Sequence, residues 1–247
     1  LNLCATFVNE VTPPEAQCFF AAQAAQENVH AEVYSLFIDR LVSDDDKKKE
    51  LFNALEGMPV IKKKGEWAMK WSNPELPFAA RLVAWSVVEG LLFASSFAAI
   101  AYFKHRGLLP GLGNANEFIS RDESLHCSFA AETLYRNHIV NKLSEEEVHK
   151  IVNEAVEIED EFVDEALPCK MIGMSAADMK VYVRFTANRL LQMLGVSPIY
   201  KDTYCPWSFV NLVACEGQVN FFEKRSADYA KASLVKLQGS VTVSDDF

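Results

Sequence analysis

An all-α fold is predicted for this 247-residue chain by three features. Apolar residues recur at helical spacing through most of its length, alternating strand patterns bounded by hairpin turns are scarce, and several segment starts carry helix-capping chemistry. The first long helix opens at Thr12-Pro-Pro-Glu15, which offers an N-cap, an early proline and a capping acid, and runs to about Leu41. Shorter helices are expected over about 47–56 and 59–70. One apolar helix begins near Phe78 and ends at Gly107, before Pro110 and Gly111. Further helices are expected over about 115–140, over 145–165 behind the cap Ser144-Glu-Glu-Glu147, and over 175–195 and 208–229. Long helices joined by short loops make a bundle. After Tyr229 the pattern dissolves into small and polar residues ending Ser-Asp-Asp-Phe247, so a helical domain over 1–229 and a flexible tail over 230–247 are expected.

Hydrophobic residues make up 50% of the chain, enough for a substantial core. Thirty-four acidic against 24 basic side chains give a net charge of −10, which repels phosphate backbones and argues against nucleic-acid binding. The basic run Lys62 to Lys64 reads as a solvated patch. Six scattered cysteines without a CxxC pair read as reduced thiols, so a cytoplasmic protein is expected. No secretory signal pattern is present, and a start at Leu1 reads as a cut. Leu82 to Phe103 is almost entirely apolar and about the length needed to span a bilayer, but Glu89 interrupts it; a helix buried within a bundle, with no membrane role, is the expectation.

Two Glu-x-x-His motifs carry the chemistry: Glu27-Asn-Val-His30 in the first long helix and Glu123-Ser-Leu-His126 in a later one. Residues three apart share a helix face, so each motif can present a carboxylate oxygen and an imidazole nitrogen to one metal. Glu146-Glu-Val-His149 has the same spacing but sits in the acid-rich first turn of a capped helix, and is read as solvated. Glu27 and Glu123 have apolar neighbours, and Glu89 lies within the apolar helix, so three costly carboxylates are expected to converge on one site. Two such motifs plus glutamates from other helices form the ferritin-like two-metal recipe. Carboxylate and imidazole donors suit iron or manganese, and bridged pairs of these metals serve oxygenases, desaturases, iron stores and radical generators alike.

The residues around these ligands narrow the choice. Gln26-Glu-Asn-Val-His-Ala-Glu-Val-Tyr34, Val88-Glu-Gly-Leu-Leu-Phe-Ala-Ser-Ser-Phe97, Ile119-Ser-Arg-Asp-Glu-Ser-Leu-His126 and Asn220-Phe-Phe-Glu-Lys-Arg225 resemble, in order and approximate spacing, the small subunit of eukaryotic-type class I ribonucleotide reductase. The resemblance runs from about residue 7 to Tyr229 and resumes at the terminal Phe247. It implies that Glu27, His30, Glu89, Glu123 and His126 hold two iron ions per chain, or manganese, with a bridging oxygen species. Tyr34 would carry a radical. It follows His30 by four residues, which puts it on the same helix face about one turn (roughly 6 Å) along the axis.

By the same resemblance Phe93, Phe97 and Ile119 form the apolar pocket around the radical, and their spacing from Glu89 and Glu123 is helical. Asp122 matches the acid that hydrogen-bonds the metal-bound histidine, here His30, and joins the electron-transfer route. Tyr229 matches a tail tyrosine that relays the radical, and Asp245, Asp246 and Phe247 match the acidic, aromatic end that docks the large subunit. The implied function is to deliver an oxidising equivalent to that subunit, which reduces ribonucleoside diphosphates. The implied assembly is a homodimer, or a heterodimer with a paralogous small subunit. One departure stands out: the family's remaining ligand is an Asp about thirty residues before Glu27, and no Asp precedes Asp39 here. The relay tryptophan is missing as well; a truncated record is the expected reason. Two rivals stay open, a di-metal oxidase or desaturase with its own substrate channel and a ligand-poor partner subunit.

Overall fold

The computed structural model describes residues 4–210, which are helical with no strand among them beyond an isolated Met171–Met174 bridge. A short α1 (Cys4–Glu10) precedes α2 (Pro14–Leu41). Thr12 does not cap α2: Pro13 holds the N-cap position and Pro14 starts the helix, where a missing N–H goes unnoticed. Helix α1 is tied to the bundle by an ion pair between Glu10 and the buried Arg81, whose guanidinium also lies near the Phe7 and Phe78 rings. Glu10 is thus committed far from metal chemistry.

The three short helices α3 (Asp45–Phe52), α4 (Ala54–Gly57) and α5 (Pro59–Trp71) lead to the apolar segment. That segment is two helices, α6 (Phe78–Gly90) and α7 (Ala94–His105), separated by a turn at Leu91–Phe93. A buried ion pair accounts for the break. Lys64 donates to the Leu92 carbonyl at 2.8 Å and pairs with Glu159, which is fully buried and accepts from both the hydroxyl and the backbone N–H of Ser95. The backbone groups that the broken helix frees are therefore satisfied, as burial demands. This also corrects the reading of the lysine run: Lys62 and Lys63 are exposed and paired with Glu66 and Glu161, but Lys64 is a core residue.

Gly107 ends α7 with a φ of 72°, and the Leu108 N–H closes back onto the Phe103 carbonyl, the left-handed terminus that glycine favours. Helix α8 starts five residues earlier than expected, at Pro110, and runs to Ser128; the chain then continues as a π-helical stretch, Phe129–Arg136. Helix α9 (Glu145–Ala166) has the expected capping box between Ser144 and Glu147, and α10 (Ala176–Leu194) is capped by Ser175. Of the helix expected over 208–229, only Ser208–Val210 falls among the described residues.

Helix α6 is buried on all sides, with α5, α8, α9, α10 and the π-helical stretch packed around it. The segment long and apolar enough to cross a membrane is therefore the centre of the bundle, and Glu89 is buried within it. Helix α2 packs across α8, which sets the two Glu-x-x-His motifs face to face.

Candidate metal centre

Four helical turns of α2 supply half of the site. Phe19, Gln23, Gln26, Glu27, His30 and Tyr34 lie within about a third of the helix circumference at 100° per residue. Helix α8 presents Ile119, Asp122, Glu123 and His126 in the same manner, and α6 contributes Glu89.

The two glutamates of the motifs each reach both histidines. Glu27 Oε1 is 3.1 Å from His126 Nδ1, and its Oε2 is 3.7 Å from His30 Nδ1. Glu123 Oε1 is 3.0 Å from His30 Nδ1, and its Oε2 is 3.4 Å from His126 Nδ1. Glu89 Oε2 adds a third carboxylate, 3.4 Å from His126 Nδ1. The imidazole centroids stand 6.3 Å apart. Ligand atoms of Glu27, Glu89, Glu123 and His126 all lie within 4.8 Å of one another.

This donor set fits a pair of cations. Three buried atoms that face the centre, Glu27 Oε1, His30 Nδ1 and Glu89 Oε2, meet their neighbours without hydrogen-bond geometry. Gln23, one turn before Glu27 and almost wholly buried, likewise has neither amide atom partnered. Such orphaned polar atoms are costly in a core unless something polar sits among them. Two imidazoles and three carboxylates without a thiolate suit iron or manganese.

Protons balance the charges in the metal-free chain. Burial works against both imidazolium ions, yet Glu123, Glu27 and Asp122 raise His30 to about 10, and Glu123, Glu27 and Glu89 raise His126 to about 11. Burial pushes Glu89 well above the carboxylate range, and its hydrogen bond with Glu123 adds to this. Burial opposes ionisation of Glu123 as well, but the polar contacts with Glu89, His126 and His30 hold it well below that range. Glu27 is lowered in the same way, with the two histidines outweighing burial. In the metal-free chain the two imidazoles thus favour their protonated forms, Glu27 and Glu123 their ionised forms, and Glu89 its neutral form.

The remaining expected residues divide. Asp122 Oδ2 is 3.1 Å from His30 Nε2, on the ring edge away from the carboxylates, so its partner is the histidine and not Arg121, whose guanidinium lies near the Phe118 ring. Tyr34 is half-buried; burial, then the charge of Glu123, raises its phenol above the ordinary range. Ile119 is buried and Phe97 half-buried. Phe93 departs from expectation: the turn at Leu91–Phe93 resets the helical phase counted from Glu89, and its side chain is 43% exposed, 6.4 Å from the Phe97 ring. Glu27 is less buried than its neighbours suggest, with 30% of its side chain exposed. His149 belongs to no metal-like cluster among the described residues; its side chain is only 21% exposed and lies 2.9 Å from the Ser197 carbonyl, so it is a packed contact rather than the solvated residue expected. Tyr229, Asp245, Asp246 and Phe247 lie outside the described residues.

Sequence reasoning missed two neighbours of the site. Gln26 Oε1 is 2.9 Å from His126 Nε2. Cys4 in α1 is buried close enough to feel Glu89, Glu27 and Glu123; burial first, then those charges, raise its thiol. Only the position of Gln26 immediately before Glu27 could have pointed to it.

An all-helical bundle with two Glu-x-x-His motifs crossed over a third buried glutamate defines a ferritin-like, two-metal carboxylate protein. The comparisons with known proteins make this specific: residues 1–206 match the family model "Ribonucleotide reductase, small chain", and the chain belongs to that family. It is 47% identical over 234 residues to the ribonucleoside-diphosphate reductase small chain of vaccinia virus (strain Ankara), covering 95% of this chain and 72% of the relative. Against ribonucleoside-diphosphate reductase subunit M2 of Mesocricetus auratus the identity is 46% over 247 residues, covering all of this chain and 63% of the relative. A solved structure, the Rnr4 homodimer of Saccharomyces cerevisiae, superposes with a TM-score of 0.75 at 31% identity, over 83% of this chain and 65% of that one. A class I ribonucleotide reductase from Bacillus halodurans superposes with a TM-score of 0.75 at 20% identity, over 86% of this chain and 80% of that one, and speaks for the fold alone.

Proposed function

We propose that this chain generates and stores a one-electron oxidising equivalent at Tyr34 and passes it to a large subunit that reduces ribonucleoside diphosphates to deoxyribonucleoside diphosphates. The observation that carries the reading is the pair of carboxylates, Glu27 and Glu123, each shared between His30 and His126, with Tyr34 one helical turn beyond His30. Glu27, His30, Glu89, Glu123 and His126 would hold two iron or manganese ions. When bound, such ions would let dioxygen act as the oxidant that takes one electron from the phenol.

The chain's own residues do the rest. Glu27 and Glu123 set the spacing between the two histidines, and α6 and α8 bury Glu89, Glu123 and His126. The Tyr34 hydroxyl keeps its proton at neutral pH, because a phenolate is disfavoured by burial and by Glu123. Ile119, buried, and Phe97, half-buried, are the proposed apolar cover of the phenol, and Phe93, exposed, is the weakest member of that set. Asp122 accepts from His30 Nε2 and continues the polar path outward. Tyr229 is the proposed relay and Asp245, Asp246 and Phe247 the proposed docking end, on the strength of the sequence pattern. A dimer of small subunits in the cytosol is the proposed setting; the dimeric state of the yeast relative and the free cysteines among the described residues support it.

The test is Tyr34→Phe in metal-reconstituted protein. The variant is expected to keep both metals and lose the tyrosyl electron-paramagnetic-resonance signal; an unchanged signal overturns the assignment.

A further inference from the structure

The two motifs back each other. In each, the residue immediately before the glutamate reaches across to the far ring edge of the other motif's histidine. Asp122, before Glu123 on α8, lies 3.1 Å from His30 Nε2 on α2. Gln26, before Glu27 on α2, lies 2.9 Å from His126 Nε2 on α8. The geometry points to Gln26 as a positioning residue: it fixes the His126 tautomer and makes the two metal positions electronically unequal. The inference rests on the metal reading above.

The chemistry follows from which ring edge is in use. His126 Nδ1 faces Glu27, Glu89 and Glu123, so it is the nitrogen that would meet a metal, and the ring proton must then sit on Nε2. The amide oxygen of Gln26 accepts that proton and fixes ring rotation, which the Phe19 ring also restrains from an edge-on position at 6.2 Å. His30 is arranged alike, with Nδ1 toward Glu27 and Glu123 and Nε2 toward Asp122. The acceptors differ in charge. A carboxylate behind an imidazole draws its N–H proton and makes the opposite nitrogen a stronger donor; a neutral amide orients the ring and does this far less. His30 is therefore the stronger imidazole donor of the two, and His126, backed by a neutral amide, the weaker. Gln26 and Asp122 line one groove between α2 and α8, together with Val29, Phe118 and Ile119, so a change at either leaves the core intact.

The experiment compares the parent with Gln26→Leu and Gln26→Glu, each titrated anaerobically with Fe(II) alone. Stepwise affinities are read by calorimetry, and the exchangeable, paramagnetically shifted imidazole N–H resonances by proton NMR. In Gln26→Leu one binding step weakens by roughly 10–100-fold while the other holds, and one shifted N–H resonance exchanges faster with water. Gln26→Glu, which restores an acceptor, recovers the affinity and moves that resonance toward the one backed by Asp122. If the parent binds no Fe(II), the metal reading itself fails. If the parent binds Fe(II) and both variants match it in affinity and N–H exchange, the positioning role of Gln26 is overturned and the metal reading stands. Equal weakening of both steps in Gln26→Leu without recovery in Gln26→Glu also overturns it, since that is the mark of general loosening.

Discussion

Replacing Lys64 with Met is expected to destabilise the metal-free chain by about 3–5 kcal/mol, the usual consequence of leaving one member of a buried ion pair alone. The structure sets that size. Glu159 is fully buried and only 12% of the Lys64 side chain is exposed, so water cannot replace the lost partner. Burial already raises the Glu159 carboxyl above its ordinary value against the pull of Lys64 and Ser95, and without Lys64 it rises further. For a domain of this size the loss corresponds to a melting-point drop of roughly 6–20 °C. The pH dependence has a definite sign. A carboxyl whose folded value is raised contributes stability below its unfolded value and loses it as pH rises through the folded one. The penalty of Lys64→Met relative to the parent therefore grows as pH rises above the ordinary carboxylate range. In Lys64→Met/Glu159→Leu no charge is left behind, and the remaining cost is that of the Ser95 groups and the Leu92 carbonyl, about 1–3 kcal/mol. Urea unfolding followed by circular dichroism measures all three chains. A single variant that costs under about 1 kcal/mol, or a double variant less stable than the single, would refute the account of the broken helix.

The other predictions concern packing, protons and the tail. A Cβ on Gly90 would meet Cys127 Sγ at 2.5 Å, so Gly90→Ala costs about 1–3 kcal/mol and Gly90→Ala/Cys127→Ala recovers most of it; equal stability of both variants in urea counts against this contact. Metal loading at neutral pH displaces protons from His30, His126 and Glu89, so apparent affinity rises with pH and protons appear in a weakly buffered titration; uptake without proton release refutes the charge assignment. Deleting Val241 to Phe247 leaves metal content and melting unchanged, abolishes reductase turnover with the large subunit, and makes the free seven-residue peptide a competitive inhibitor; normal turnover after deletion removes the docking role.

Helical periodicity and caps located most of the bundle, because both are local: Ser144 caps α9 through Glu147, and Gly107 closes α7, as their neighbours alone dictate. The convergence of Glu27, His30, Glu123 and His126 was legible for the same reason, since a three-residue spacing fixes a face whatever packs upon it, and Glu89 was legible as a lone carboxylate in an apolar helix. What escaped was set by partners distant in sequence. The break between α6 and α7 depends on Lys64 and Glu159, contributed by α5 and α9, and from within the run Leu91-Leu-Phe93 nothing signals it. Phe93 was misplaced in consequence. Lys64 itself looked like its two exposed neighbours until the burial of Glu159 gave it a counter-charge. Gln26 was overlooked because an amide announces no chemistry until the histidine it holds is known.

The quasi-symmetry of the two motifs also explains why the metal-free site can exist at all. Each imidazolium ion meets three carboxyl groups: His126 meets Glu27, Glu89 and Glu123, and His30 meets Glu27, Glu123 and Asp122. Both are stabilised to a similar degree, to about 11 and about 10. The third carboxyl group differs in place, not in number. For His126 it is Glu89, on the nitrogen that would meet a metal, where it can serve as a ligand. For His30 it is Asp122, on the opposite nitrogen, where it can act only through the ring. Cations bound in place of these protons would meet unlike surroundings on the two sides. One position gains a carboxylate donor, and the other gains a more basic imidazole. A site that was symmetric in charge becomes asymmetric in ligand chemistry as soon as metal replaces protons, and that asymmetry is written in the two residues preceding Glu27 and Glu123 together with Glu89.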